Sequence, residues 1–407
     1  MAQNPARRIL VVGGGPAGVF AAMEAKRSDP GAQVTLLTEE PCEPYEKPPL
    51  SKGVLSGKCL PEHALIAGHA GIGAHDIVLE CGACCTAIDR AAHQVMTASG
   101  RAFPYDALIL ALGSVVRQLP QWPIGMRRVH YLRTERDARA LAAAMQPGKH
   151  LVIVGGGLIG LEVAASAATA GVRTTVLEVG PRILARVCDE ATGAFVADAH
   201  RRHGVELHTG DMIADVRPHD AGIDIATKAG AKFTADLVVV GTGVKPNVEL
   251  AAAAGLAIDD GILVDEHCRT SDPAIFAAGD AVKFPGPAGL TRLENWRHAQ
   301  DHGMVAGRNA AGASEAYKTL PSFWSEQYDL YIQGVGWPAA QPRERVHRTA
   351  DGGRPLVFEL EHGAIVYAMG INVQRDLAVA RRLIERKVPV DAAALADAGH
   401  PLAAMLH

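Results

Sequence analysis

Two stretches of the chain repeat one hydrophobic pattern. Residues 8–18 read RILVVGGGPAG and residues 150–160 read HLVIVGGGLIG. Each opens with a short run of branched apolar side chains, passes through three glycines and continues into an alanine-rich apolar segment. Each is followed by a second apolar run, AQVTLLTEE and VRTTVLEVG. Unbroken apolar runs of this length suit parallel strands covered on both faces, and the order predicts strand–helix–strand twice. YDALILALGS and ADLVVVGTG read as further buried strands. Beyond about residue 316 the pattern becomes mixed, with strands predicted at YIQGVGW, RPLVFELEHG and AIVYAMGI and a helix at DLAVARRLIERK. The expected fold class is therefore α/β, with two Rossmann-like doubly wound units and a C-terminal α+β domain.

Composition narrows the function classes. A chain of 407 residues exceeds one hydrophobic core, and 48% apolar with 21% charged residues is a globular balance. A net charge of −4 gives no bulk attraction to nucleic acid or to a membrane surface. The N-terminus runs from Arg7 and Arg8 straight into a strand, without the apolar stretch and cleavage site of a signal peptide, so a cytoplasmic protein is expected. Seven cysteines, an odd count in so long a chain, suit a reducing compartment. Cys81, Cys84 and Cys85 fall in IVLECGACCTAIDR, read as a strand with buried or half-buried thiols. A zinc site would need a second ligand pair, and neither these cysteines nor His200-x-x-His203 has one at suitable spacing, so no metal is expected.

The glycine runs carry the chemistry. Gly13-x-Gly15-x-x-Gly18 and Gly155-x-Gly157-x-x-Gly160 both lie between a strand and a helix. The first glycine permits the tight turn, the second lets backbone approach a pyrophosphate, and the third lets helix and strand pack closely. The helix N-terminus then offers N–H groups to phosphate. An acid for the ribose should follow about 20 residues on. Glu39 and Glu40 do so after the first fingerprint, and Glu178 after the second. Two dinucleotides imply a flavin and a nicotinamide, because no side chain accepts a hydride. Spacing alone leaves open which fingerprint holds which.

Further along, PYEKPPLSK (44–52), Ala111-Leu112-Gly113, GLIGLE (157–162), GVKPN (243–247), AGD (278–280), RLENW (292–296) and FWSEQYD (323–329) appear in order. Together they resemble the ferredoxin reductases of Rieske dioxygenase and cytochrome P450 systems, a branch of the glutathione-reductase-like, two-dinucleotide flavoproteins. The resemblance implies a discontinuous FAD-binding domain (1–114 and 240–316), an NAD-binding domain (115–239) and a C-terminal domain (317–407). It places FAD against Gly13, Gly15, Ala17, Gly18, Glu39, Glu40, Lys47, Lys52, Cys85, Ala111, Gly113, Arg117, Asp280, Glu294, Asn295 and Trp296. Lys47 stands where the family has arginine, which keeps charge but loses the bidentate fork, and Leu112 replaces a threonine. NAD would meet Gly155, Gly157, Leu158, Ile159, Gly160, Glu178, Arg182 and Gly243. Lys52 and Glu162 would form an ion pair beside flavin N5, with Trp324 over the nicotinamide.

The implied activity is an NADH-dependent ferredoxin reductase, passing single electrons to a [2Fe–2S] ferredoxin that feeds an oxygenase. Glu178 favours NADH, because a carboxylate accepts from both ribose hydroxyls and repels a 2′-phosphate. No Cys-x4-Cys pair follows the first helix, so electrons need not pass through a dithiol. A basic docking face for an acidic partner would draw on Arg343, Arg345, Arg348, Arg381, Arg382, Arg386 and Lys387. A monomer or homodimer is expected. The competing readings are a reductase serving rubredoxin, a nitrite system or quinone, and a binding protein that merely holds FAD.

Overall fold

The computed structural model describes residues 6–338, 344–350 and 352–406. The chain divides into two compact units. The first takes Met1–Pro49, Cys59–Val115 and Val244–Thr319; the second takes Leu50–Lys58, Val116–Gly243 and Leu320–His407.

The first unit is built on a parallel five-stranded sheet ordered Ile275–Ala277, Ala107–Leu110, Arg8–Val12, Gln33–Leu37, Val78–Glu80. All four residues of Ala107–Leu110 are buried, as an unbroken apolar strand covered on both faces must be. Helix Pro16–Ser28 follows the central strand and packs on helix Trp296–Ala310. That contact is made backbone to backbone. A Cβ at Gly303 would lie 2.2 Å from the Ala17 carbonyl oxygen, and one at Gly307 would lie 2.2 Å from that of Ala21.

The second unit repeats the architecture. Its parallel sheet runs Glu206–Thr209, Arg173–Glu178, His150–Val154, Leu237–Val240, Val129–His130. Helix Leu158–Thr169 follows the central strand. Each unit also carries a three-stranded antiparallel meander, Cys85–Asp89 with Gln94–Thr97 and Ala102–Pro104 in the first, Ile213–Pro218 with Ile223–Thr227 and Lys232–Ala235 in the second.

The described residues after Leu320 include an antiparallel sheet ordered Ser322–Gln327, Leu330–Gly336, Ala364–Ile371, Arg354–Glu361, Glu344–Ala350. Helix Gln374–Arg386 buries Leu377, Ala380, Leu383 and Ile384 against it, a spacing of three and four that makes one apolar stripe. Leu330, Ile332 and Ile371 of this sheet share a core with Leu161, Ile183 and Val196, which is why the segment belongs to the second unit.

One sequence expectation changes. The cysteine segment is not a continuous strand. Val78–Glu80 ends at a turn, and a new strand starts at Cys85. Gly82 takes φ +68 and donates its N–H to Glu40 O at 3.0 Å, a left-handed kink that a strand cannot contain. Cys81 is consequently exposed rather than buried, and Cys84 is half-buried.

Candidate functional site

The two glycine turns have nearly the same geometry. Gly13 and Gly155 have φ of +119 and +112, a region closed to side chains. A Cβ on Gly13 would sit 2.1 Å from Ala111 O, and one on Gly155 would sit 2.5 Å from Gly241 O. A Cβ on Gly18 would lie 1.8 Å from Gly13 O, and one on Gly160 would lie 2.2 Å from Gly155 O, so helix and turn touch at the third glycine. Gly15 and Gly157 differ: a Cβ there would meet nothing within 4 Å. Both are the N-cap of their helix, and neither cap carries a side-chain hydrogen bond. Each turn thus leaves a bare helix N-terminus facing open space, which fits a pyrophosphate.

In the first unit Ala111 lies against Gly13 and Gly279 against Ala17, while the remaining candidates make contacts of their own. Glu39, after strand Gln33–Leu37, is exposed. Glu40 is occupied instead, accepting from Tyr45 Oη and Lys47 Nζ, each at 2.5 Å. Ala111 N–H donates to Val12 O at 2.8 Å, and Gly113 follows with φ +66. Asn247 clamps this corner, its N–H donating to Gly113 O at 3.0 Å and its Nδ2 to Leu112 O at 3.4 Å. Asp280 accepts from Ser114 Oγ at 3.1 Å. Gly279 beside it, at φ +82, donates to His302 Nδ1 at 3.3 Å. Asn295 caps helix Trp296–Ala310 through His298 N–H. Glu294 pairs with Arg292. Trp296 lies edge-on to Phe20 and donates to Glu46 at 2.5 Å. Burial raises the Glu46 carboxyl pKa, and that hydrogen bond opposes the rise. The Cys85 thiol is pushed up to about 12, chiefly by burial.

In the second unit Glu178 closes the nucleotide turn. One carboxylate oxygen accepts from Gly156 N–H and the other from Gly180 N–H, both at 2.6 Å. Each oxygen keeps a further lone pair for a donor from outside. Ile159, in the helix that follows the turn, and Val179, next to Glu178, are exposed apolar residues, 51% and 63% accessible. Arg182 turns toward carbonyls of its own loop, those of Ile183, Ala185 and Cys188. Arg117 N–H donates to Gly243 O at 2.9 Å.

Lys52 and Glu162 also meet in this unit. Lys52 Nζ lies 2.7 Å from Glu162 Oε2, and Glu162 is only 3% exposed inside an apolar helix. Ser51 Oγ donates to the same oxygen, and Ser325 Oγ donates to Oε1 at 2.6 Å. Three donors therefore surround a buried carboxylate, the arrangement that burial of such a charge requires. Half-buried Trp324 precedes Ser325 on strand Ser322–Gln327. Ser51, Ser325 and Asn247 were in the quoted motifs, yet nothing in their spacing marks them as site residues.

Of the proposed docking cations, Arg343 lies outside the described residues. Arg348 is 7% exposed and donates to the carbonyls of Leu395, Asp397, Ala398 and His400. Arg345 pairs with Glu359 and Arg381 with Glu385. Arg382, at 3.4 Å from Ala378 O, Arg386 and Lys387 complete the set on or beside helix Gln374–Arg386. Among the described residues no group of three or more His, Cys, Asp or Glu is placed to hold a metal, and no helix is long and apolar enough to cross a membrane.

The chain matches two family models, pyridine nucleotide-disulphide oxidoreductase over residues 7–303 and reductase C-terminal over 322–406. It is 36% identical to rhodocoxin reductase of Rhodococcus erythropolis, over 96% of this chain and 92% of that protein. It is 39% identical to the anthranilate 1,2-dioxygenase system ferredoxin–NAD(+) reductase component of Burkholderia cepacia, over 95% and 96%. The crystal structure of a covalent putidaredoxin reductase–putidaredoxin complex matches with a TM-score of 0.93 and 32% identity, covering 99% of each chain. Two cradled glycine turns, the buried Lys–Glu pair and these likenesses along almost the whole length place the chain in the pyridine nucleotide-disulphide oxidoreductase family, among its FAD- and NAD-dependent ferredoxin reductases.

Proposed function

We propose that the chain is the reductase component of an oxygenase system, taking a hydride from NADH and delivering electrons singly to a [2Fe–2S] ferredoxin in the cytoplasm. FAD, when bound, supplies the hydride acceptor and the conversion from a two-electron donor to one-electron deliveries. Gly13, Gly15, Ala17 and Gly18 present the first helix N-terminus to its pyrophosphate, and Glu39 is the acid placed for its ribose. Asp280 is held by Ser114, and Asn247 braces the 111–113 corner beside the same turn. Gly155, Gly157 and Gly160 do the same work for NADH, and Glu178 faces its adenosine ribose. Because Arg182 spends its donors on its own loop, it leaves the carboxylate to decide against a 2′-phosphate.

The observation that supports this reading most directly is the pairing of half-buried Lys52 with the buried Glu162 carboxylate. Burying a charge pair is costly, and side chains at a merely structural position are seldom arranged so. Lys52 and Glu162 are read as the charged pair that sets the electrostatics of hydride transfer, and Trp324 as the nicotinamide cover. The test is the rate of flavin bleaching when protein and NADH are mixed without oxygen, with and without ferredoxin. Fast bleaching followed by ferredoxin reduction supports the proposal. NADH oxidation that ignores added ferredoxin refutes it.

A further inference from the structure

Ser325 does more than touch Glu162. Its Oγ lies 3.1 Å from Gln327 Nε2, and Gln327 Oε1 lies 2.9 Å from His200 Nε2. His200 Nδ1 lies 3.2 Å from the Tyr328 hydroxyl. Glu162, Ser325, Gln327 and His200 are 3%, 0%, 1% and 0% exposed, so these bonds lie away from the bulk solvent. A carboxylate only accepts, which fixes the direction of every bond from one end. Ser325 must donate to Glu162 and therefore accept from the Gln327 amide nitrogen. The Gln327 carbonyl then faces His200, which must carry its proton on Nε2, leaving Nδ1 to accept from Tyr328.

Two further features point the same way. Tyr328 opens the two-residue hairpin between Ser322–Gln327 and Leu330–Gly336 with φ +58, a conformation strained for an aromatic residue. His203 stacks on its ring at 3.7 Å and 8°. Asn372 holds the hairpin from the other side through Asp329 O and Tyr331 N–H. Burial lowers the His200 pKa to about 4, the neutral state the chain of bonds demands. The groups facing His200 are Gln327, Tyr328 and His203, and the cation facing Glu162 is Lys52.

We propose that Ser325, Gln327, His200 and Tyr328 are positioning residues that orient the Glu162 carboxylate against Lys52. This rests on reading Lys52 and Glu162 as the pair that serves hydride transfer. The chain of bonds is not a proton wire, because an amide in its middle cannot hand a proton on without becoming the imidic acid. Its work is to hold one lone pair of Glu162 in place through a donor that is itself locked.

The test combines two readouts. In protein labelled with 15N in histidine, the His200 ring should be neutral with its proton on Nε2 down to about pH 5. Ser325→Ala, which removes the acceptor that orients Gln327, should blur that tautomer. In anaerobic stopped-flow with NADH, Ser325→Ala and His200→Leu should each lower the limiting rate of flavin reduction by about fivefold or more, one hydrogen bond's worth. NADH half-saturation should move by less than about twofold, because the bonds act on Glu162 and not on nucleotide binding. His200→Gln, whose amide nitrogen can donate to Gln327, should recover the rate. A His200 ring that titrates near its ordinary value, or carries its proton on Nδ1, overturns the proposal. So does an unchanged limiting rate in Ser325→Ala while Glu162→Gln is slow. An unchanged rate in Glu162→Gln itself overturns the hydride-site reading instead. Should His200→Leu fail to fold, the isosteric Ser325→Ala and the histidine spectrum still decide.

Discussion

At the scale of single residues the chemistry rests on carboxylates whose partners are distant in sequence. Glu162 was legible because a glutamate in an otherwise apolar helix needs a partner, and Lys52 was legible through its motif. Ser51 and Ser325 were not, since serine is small and common and these two reach Glu162 across 111 and 163 residues. Removing Lys52 leaves the carboxylate with two hydroxyl donors and no cation. Lys52→Ala should therefore slow flavin reduction by NADH, or shift the flavin potential, while FAD stays bound; a surface lysine would change stability by less than about 0.5 kcal/mol. Stopped-flow bleaching measures the rate and a dye-linked titration the potential, and no change in either would remove Lys52 from the site. Glu178, proposed to meet the adenosine ribose, also ties Gly156 and Gly180 together. The unmodified protein should prefer NADH over NADPH by at least about tenfold in kcat/KM, or about 1.4 kcal/mol. Glu178→Ala should narrow that gap and also lower stability by about 1–3 kcal/mol, because two backbone donors lose their acceptor. Equal kcat/KM for the two cofactors in the unmodified protein would contradict the assignment.

At the scale of elements, the parallel strands and their glycine turns were readable as unbroken apolar runs ending in a fingerprint. Strand Ser322–Gln327 was not, and its reason is physical. Its buried positions are the polar residues Ser325, bonded to Glu162, and Gln327, bonded to Ser325, so the hydrophobic alternation that marks a strand is missing. Glu344–Ala350 hides similarly, burying Arg348 alongside Val346. The contact between helices Pro16–Ser28 and Trp296–Ala310 was also invisible, because glycine in a helix reads as a weakness until the backbone opposite is known. Gly303→Ala would place its Cβ where the Ala17 carbonyl sits. It should destabilise by about 3 kcal/mol or more and displace the first fingerprint helix. Thermal unfolding and the flavin content of purified protein measure both effects, and a variant that keeps its melting temperature and its flavin would show that the contact yields easily.

At the scale of the whole molecule, sequence motifs ran from Gly13 to Asp329 and thinned out beyond, so the family was legible before the geometry. The charge surface was not, because an arginine in sequence gives no sign of being spent on carbonyls, as Arg348 is. Buried histidines set the acid response. Burial lowers the pKa of His200 to about 4 and of His298 to about 3, and takes that of His302 well below its usual value. In the unfolded chain these rings protonate below about pH 6.5, while in the folded protein they stay neutral, so the unfolded state binds more protons. Stability should therefore fall as pH drops from about 6.5 toward 5, by up to about 1.4 kcal/mol per pH unit for each ring. Melting temperatures across that window measure it, and a flat profile would mean that the rings take up protons as readily in the folded protein as in the unfolded chain.

This chain moves electrons from NADH through FAD to a ferredoxin. The most direct measurement follows anaerobic NADH consumption together with the visible spectra of flavin and of an added [2Fe–2S] ferredoxin. Bleaching of the flavin by NADH, then its recovery with about two ferredoxins reduced per NADH consumed, is the predicted result. A flavin that NADH leaves oxidised, or one that bleaches and then stays reduced beside oxidised ferredoxin, would contradict it.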